Sequence, residues 1–157
     1  MRDQIMSEFL KSLATPPVGS AVPVGGTVAA LALAQAAALL ARTGDGADGG
    51  WMHGLRLAEQ DAFAVRTSDL DAWRPSSDVI TSAASLLAVA ERRLAEGAAP
   101  LDVAAAAEAV RSAVVIARVA IESRTGPVPA LGVDELVSRA ERITAAVRSG
   151  LTNQLVG

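Results

Sequence analysis

The stretch of sequence that decides the fold runs from Pro23 to Ala41 and reads PVGGTVAALALAQAAALLA. A glycine turn opens it, and the segment that follows has Gln35 as its one clearly polar residue past the first turn. A helix that is apolar on every side is buried on every side, either in a bundle or across a membrane. The segment therefore predicts a central helix that has Thr27 as its N-cap and ends near Arg42.

Composition favours the bundle over the membrane. The chain has 157 residues, which suits a single domain over residues 1–157. Hydrophobic residues make up 51% of it but aromatic residues only 3%, and alanine fills the difference. Alanine favours helices, and strand-like alternation of Val, Ile, Thr and Tyr is scarce. We therefore expect an all-α fold whose helices pack closely through small side chains.

Apolar periodicity and the positions of Gly and Pro place about six helices along the chain. They fall at residues 3–13, 27–42, 51–73, 77–96, 100–124 and 133–148, with the fourth capped by Ser76 or Ser77 and the tail after Gly150 fraying. The second of these is the buried alanine-rich central helix of a compact bundle. The fifth is also mostly apolar, and two such helices indicate that a second copy of the chain covers part of their surface. The sequence thus predicts a homodimer.

Charge and composition also exclude several functions. The net charge of −3 provides no basic surface for nucleic acid. The chain has no cysteine and a single histidine, His53, so we expect no metal site and no bound cofactor. Asp3 and Glu8 interrupt the N-terminal apolar run, which is not typical of a signal peptide. The central segment lacks the flanking aromatic and basic residues of a membrane span, so we expect a cytoplasmic protein and no membrane partner.

Two features near the central helix have chemical potential. The Gly25-Gly26 turn places free backbone N–H groups at a helix N-terminus, where they attract carboxylate or phosphate; the alternative is a simple tight turn. Asp61 lies among Ala58, Ala62 and Val65, which predicts partial burial. A buried carboxylate has a raised pKa and can exchange protons, whereas the alternative is an ordinary solvated acid on a helix.

A charged stripe runs along the predicted fifth helix, where residues three and four apart share one face. Its members are Glu108, Arg111, Val115, Arg118 and Glu122. The stripe is either a solvent-facing row of intrahelical ion pairs, or the charged wall of a cleft or a polar seam between two copies of the chain. His53 follows a glycine-rich turn and is either a lone surface histidine or a group that transfers protons near neutral pH.

Three segments of the chain resemble the cyclodeaminase/cyclohydrolase family. The first reads SEFLKSLA at 7–14, followed by a proline-rich loop and then PVGGTVAAL; the others are EQDAFA at 59–64 and LDVAAAA at 101–107. The family includes the cyclodeaminase half of formiminotransferase-cyclodeaminase and the bacterial methenyltetrahydrofolate cyclohydrolases. The order of the segments is that of the family, and the resemblance covers nearly the whole chain.

The resemblance implies an all-α homodimer that handles one-carbon groups bound to folate, by losing ammonia from formiminotetrahydrofolate or by hydrolysing a methenyl bridge. It implies a small-molecule substrate, for which a tetrahydrofolate derivative is the candidate. Within this implied site, Gly25, Gly26 and Thr27 line the ligand pocket, and Asp61 and Asp102 are the proton-handling pair. As further substrate-binding residues, we expect Arg118 or Arg124 to bind an anionic group.

The chain also departs from the family pattern. Val24 stands where the first loop glycine is expected, Thr27 replaces a serine, and the family's asparagines near the end of the fifth helix are missing. A site that loses its hydrogen-bonding residues loses discrimination for the substrate that needed them. We therefore expect a divergent enzyme, a lyase or hydrolase that acts by acid–base cyclisation, deamination or hydrolysis on a small heterocyclic or folate-like substrate. The alternative is a non-catalytic helical dimer that binds a small ligand or scaffolds a partner.

Overall fold

The structure of the chain is a computed structural model that describes residues 25–44, 50–67, 69–126 and 132–156, together with residues 7, 8, 10, 11 and 14. The four long stretches hold five α-helices and no strand, which confirms the all-α prediction. These are α1 Gly25–Ala41, α2 Gly50–Arg66, α3 Arg74–Ala95, α4 Pro100–Thr125 and α5 Val133–Val156. Most of the predicted first helix, at 3–13, lies outside the described residues, as do the proline-rich loop and Val24.

Helix α1 packs against α2, α3 and α4, and α4 in turn packs against α1, α3 and α5. The buried side of α1 is made almost entirely of alanine and leucine: Ala29, Ala30, Leu33, Ala34, Ala36, Ala37 and Leu40. The sequence predicted that α1 is buried on every side, and this prediction is wrong for one face of the helix. Gln35 and Ala38 are exposed there, and Val28 and Leu31 are partly exposed. The three neighbouring helices cover the other sides and leave this face open.

None of the five described helices is both long enough and apolar enough to cross a membrane.

Small residues set the distance between α1 and α2. A Cβ atom added at Gly54 would lie 2.7 Å from the Cβ of Ala34 and 2.8 Å from its Cα and N atoms. The backbone of α2 therefore touches the backbone of α1 at this point, and even a methyl group has no room. This is close packing of the kind that the alanine-rich composition predicted.

The predicted boundary between the third and fourth helices is wrong. Helix α2 ends at Arg66 rather than at Trp73, and the chain forms turns over the next residues, where the backbone N–H of Asp69 donates to the carbonyl of Ala64 at 3.0 Å. The hydroxyl of Thr67 donates to the carbonyl of Phe63 at 3.0 Å, and the carboxylate of Asp69 accepts from the backbone N–H of Asp71 at 2.9 Å. Asp residues in such positions compete with the helix for backbone hydrogen bonds.

The expected serine cap of α3 is also wrong. The helix begins at Arg74 with Trp73 at the N-cap position and with no side-chain capping bond, and Pro75 lies in its first turn. Proline is well suited to that position because its missing N–H would have no intrahelical partner. Ser76, which was expected at the cap, is instead fully buried.

The two C-terminal helices agree better with the sequence. Helix α4 spans Pro100–Thr125, one residue beyond the predicted end. The turn before it uses left-handed backbone at Gly97, with φ of 71°, and at Ala99, with φ of 38°. Helix α5 continues to Val156, so the expected end at Arg148 is wrong. Gly150 lowers helix stability by only about 1 kcal/mol, which does not end the helix.

Helices α3 and α5 are joined at the surface by an ion pair. The guanidinium of Arg139 donates to both carboxylate oxygens of Glu91, at 2.8 and 3.1 Å. This hydrogen bonding, aided by the charges of Arg139 and of nearby Arg142 and opposed by desolvation, lowers the pKa of Glu91.

Replacing Gly54 with alanine tests the contact between α1 and α2. We expect Gly54→Ala to lower the free energy of unfolding by about 1–3 kcal/mol, as overpacking typically does, despite alanine's better helix propensity. The control is Gly150→Ala, where nothing lies within 4 Å of the added Cβ, and which should be neutral or stabilising by up to about 1 kcal/mol. Urea unfolding measures both, and equal effects would contradict the close approach.

Replacing Glu91 with glutamine tests the link between α3 and α5. The pKa of Glu91 is lower in the folded state than in the unfolded state, so its contribution is present above its ordinary pKa of 4.5 and is lost as the pH falls through the folded value. Because the pair is partly exposed, we expect Glu91→Gln to cost at most about 1 kcal/mol at pH 7. The difference from wild type should shrink progressively as the pH falls below 4.5 in urea unfolding, and a constant difference would contradict this account.

Candidate functional site

The buried carboxylate of Asp61 is the centre of the candidate site. Asp61 lies on α2 and its side chain is 0% exposed, which is deeper than the partial burial that the sequence predicted. It lies directly against Gly26 in the first turn of α1, where any Cβ would overlap the carboxylate. Only glycine leaves room at this point, so the glycine turn of α1 makes the space that Asp61 occupies.

Two side chains from other helices bind the two oxygens of this carboxylate. The hydroxyl of Thr27 donates to Oδ2 of Asp61 at 3.0 Å. Nη1 of Arg124, in the last turn of α4, donates to Oδ1 at 3.3 Å and also to the backbone carbonyl of Ala72. Thr27 therefore does not cap α1, which begins two residues earlier, and its hydroxyl serves Asp61 instead.

These contacts explain how the protein tolerates a buried charge. Removing a carboxylate from water costs several kcal/mol unless a paired charge and hydrogen bonds compensate for it. Arg124 supplies the opposite charge with a side chain that is only 16% exposed. The carboxylate also lies beside the N-terminus of α1, where the helix dipole favours negative charge.

Arg124 retains unused hydrogen-bonding capacity. Its Nη2 atom is buried and has no hydrogen-bond partner among the described residues. A buried donor without a partner is uncommon in folded proteins and calls for an explanation such as a ligand or a water molecule.

Gly25 lies beside α4 at the start of α1. A Cβ atom added at Gly25 would lie 3.8 Å from Cγ2 of Ile116 and 3.9 Å from the Cβ of Ala120.

The structure thus brings together five of the seven residues that the sequence singled out. We call this group the α1-head site, and it comprises Gly25, Gly26, Thr27, Asp61 and Arg124. They come from three helices, and those from different helices are far apart in the sequence. The packing of α2 and α4 against the start of α1 brings them together.

The other two predicted residues lie elsewhere within the chain. Asp102 is in the first turn of α4 and lies 3.8 Å from Nε of Arg42. Because an α-helix rises 1.5 Å per residue, Asp102 lies about 33 Å from Arg124 along the axis of α4. In one chain, Asp102 and Asp61 therefore do not form a proton-handling pair.

Arg118 points away from the α1-head site. It donates to Glu122 at 3.1 Å and to Asp134 of α5 at 3.3 Å, and hydrogen bonding to Glu122 raises its pKa. Six residues along a helix turn the side chain by about 240°, so Arg118 and Arg124 lie on different sides of α4. The Glu108–Arg111 pair, at 3.0 Å, shows that the charged stripe contains intrahelical ion pairs.

Sequence reasoning missed one group at the α1-head site, the backbone carbonyl of Ala72, which accepts from Arg124. No sequence signal distinguishes such a carbonyl.

His53 lies away from this site. It is partly buried, and its Nε2 lies 3.1 Å from Oγ of Ser82 on α3. Ser82 follows an ordinary helical pattern and was not predicted. Among the residues that the structure describes, no group of three or more His, Asp or Glu side chains is suitably placed to hold a metal ion.

Comparison of the chain with family models, curated proteins and solved structures finds no match in any of the three.

Removing Arg124 should leave an unpaired charge in the core. We expect Arg124→Met to lower the free energy of unfolding by about 3–5 kcal/mol, the usual cost of breaking a buried pair. Arg118→Met removes an arginine from the same helix but breaks only exposed pairs, and it should cost at most about 1 kcal/mol. Urea unfolding measures both variants.

A double variant separates the charge effect from lost packing. Asp61→Leu combined with Arg124→Met removes both charges, and it should recover a large part of the loss seen for Arg124→Met alone. If the double variant is instead less stable than Arg124→Met, the unpaired carboxylate is not the cause of the loss.

Proposed function

We propose that the chain is a divergent enzyme of the cyclodeaminase/cyclohydrolase type, and that its substrate binds at the α1-head site. The substrate would be a small heterocyclic or folate-like molecule, and the reaction an acid–base cyclisation, deamination or hydrolysis. The observation that carries the proposal is the unpartnered Nη2 of Arg124 beside the buried carboxylate of Asp61. Arg124 would offer a donor to the substrate, and Asp61 would exchange a proton with it.

The roles of the residues follow from their chemistry. Arg124 would donate from Nη2 to a carbonyl or carboxylate oxygen of the substrate, since a guanidinium presents donors in a rigid fork. Asp61 would exchange the proton, as a positioned carboxylate does in general acid–base catalysis. Gly26 leaves the room that Asp61 needs at the start of α1, where N–H groups favour negative charge.

The resemblance of the three sequence segments to the family supports the same site, because it singled out the glycine turn and Asp61 independently of their contacts. The missing family asparagines support a changed substrate rather than the family's usual folate. Asp102 and Arg118 lie outside the α1-head site in a single chain, so the proposal uses neither of them.

The alternative is a non-catalytic helical homodimer, and the surface of α4 favours it. Leu101 is 65% exposed, Val119 is 61% exposed and Val115 is 38% exposed. They lie on one face of α4, and α1 has an open face of its own that carries Val28 and Leu31. Under this alternative a second copy of the chain covers these faces, and the Asp61–Arg124 pair only joins α2 to α4.

A thermal-shift screen with tetrahydrofolate, methenyltetrahydrofolate and small anionic metabolites tests the enzyme proposal. A ligand at 100 times its Kd stabilises the folded state by about 2.7 kcal/mol, so we expect a saturable rise in Tm for at least one compound. Arg124→Lys retains the positive charge beside Asp61 but loses the second guanidinium nitrogen, and it should abolish most of the rise. Arg118→Met is the matched control and should retain it.

Turnover of the compound found in that screen tests the role of Asp61. Asp61→Asn keeps the shape of the side chain but cannot exchange a proton, and we expect loss of turnover with binding retained. Unchanged turnover would exclude Asp61 as the proton-handling group. If no compound raises Tm and light scattering gives the mass of a dimer, the non-catalytic alternative is the better account.

A further inference from the structure

A second polar cluster lies in a cleft between α1, α2 and α3, away from the α1-head site. The cleft has a volume of about 220 Å3 and is lined by Leu33, Gly50, His53, Ser82, Ser85 and Leu86. It shares no residue with the α1-head site, and eight residues along α2, or about 12 Å, separate His53 from Asp61.

The walls of the cleft divide into an apolar and a polar part. Leu33 forms the floor and is 1% exposed, while Leu86 is partly buried beside it. His53 and the hydroxyls of Ser82 and Ser85 supply the polar part. Pockets for small molecules typically combine mostly apolar walls with a few polar groups that orient the ligand.

The hydrogen bond between His53 and Ser82, 3.1 Å long, leaves capacity for a further partner. A serine hydroxyl has one donor and two acceptor positions. If Nε2 of His53 carries the proton, it donates to Ser82, whose own hydroxyl is then free to donate into the cleft. If Ser82 donates to Nε2, its oxygen is free to accept. A ligand hydroxyl complements Ser82 in both arrangements because it donates and accepts.

We propose that this cleft is a binding site for a small, mostly apolar alcohol or phenol. The hydroxyl of the ligand bonds to Ser82, and its hydrocarbon part lies against Leu33 and Leu86. A cavity of about 150 Å3 is sufficient for a benzene ring, so a cleft of this volume holds a single-ring molecule. The proposal does not depend on the function proposed for the α1-head site.

Phenol and toluene form a matched pair of probes, since they have nearly the same size and only phenol has a hydroxyl. His53 is the only histidine in the chain, so its imidazole signals in an NMR titration need no assignment among competitors. We expect saturable shifts of these signals with phenol, and binding of phenol about fivefold tighter than that of toluene, the ratio that one net hydrogen bond supplies.

Three variants make the test specific. Ser82→Ala removes the hydroxyl and should make phenol and toluene bind equally. Ser85→Phe fills the mouth of the cleft from an exposed position and should abolish binding of both probes. Ser112→Ala, on α4 and outside the cleft, should leave both affinities unchanged. Circular dichroism confirms that each variant is folded, and Ser85→Leu replaces Ser85→Phe if the larger side chain prevents folding.

The proposal is overturned if phenol causes no saturable shift of the His53 signals. It is also overturned if Ser82→Ala leaves the preference for phenol over toluene intact, or if a folded Ser85→Phe or Ser85→Leu variant binds phenol as tightly as the wild type.

Discussion

The buried ion pair between Asp61 and Arg124 is the constraint on which the arrangement of α1, α2 and α4 depends. A carboxylate that is wholly shielded from water must have its charge balanced and its oxygens hydrogen-bonded. That requirement brings the side chain of Arg124, from the last turn of α4, and the first turn of α1 to the same point on α2. Gly26 is part of the requirement, because a side chain there would occupy the position of the carboxylate.

The rest of the core is mostly apolar and depends in part on close packing of small side chains. Alanine and glycine on the facing sides of α1 and α2 bring their backbones into contact, most closely at Ala34 and Gly54. Such packing fills the core at this contact without a large side chain between the two helices. The described helices leave one face of α1 open and Val119 of α4 exposed.

The α1-head site and the cleft around Ser82 both hold polar groups, and their arrangements differ. At the α1-head site, two opposite charges bind each other and leave one guanidinium nitrogen without a partner among the described residues. In the cleft around Ser82, a neutral pair leaves a hydroxyl with spare capacity beside two leucines. The first arrangement suits a polar or anionic group and the second a neutral hydroxyl, so the two places select different ligand chemistry.

Composition and local pattern were sufficient for the helical class, for the position of α1 and for both ends of α4, because alanine content, proline and glycine act over a few residues. The glycine turn and the apolar neighbours of Asp61 also singled out Gly26 and Asp61 as separate candidates, and the family resemblance added Thr27 and Arg124. Composition and local pattern failed at Arg66, where a turn in which Asp69 accepts from the N–H of Asp71 follows α2 in place of the helix that the apolar pattern indicates.

The packing of the helices decides which of the candidate residues meet in space. Asp61 and Arg124 are 63 residues apart, and no local pattern indicates that these two side chains meet. Rotation about the axis of α4 directs Arg124 inward and Arg118 to the surface. The length of that helix separates Asp102 from Asp61. The residue types therefore came from the sequence, whereas the site came from the contacts among three helices, because only those contacts decide which charges are removed from water together.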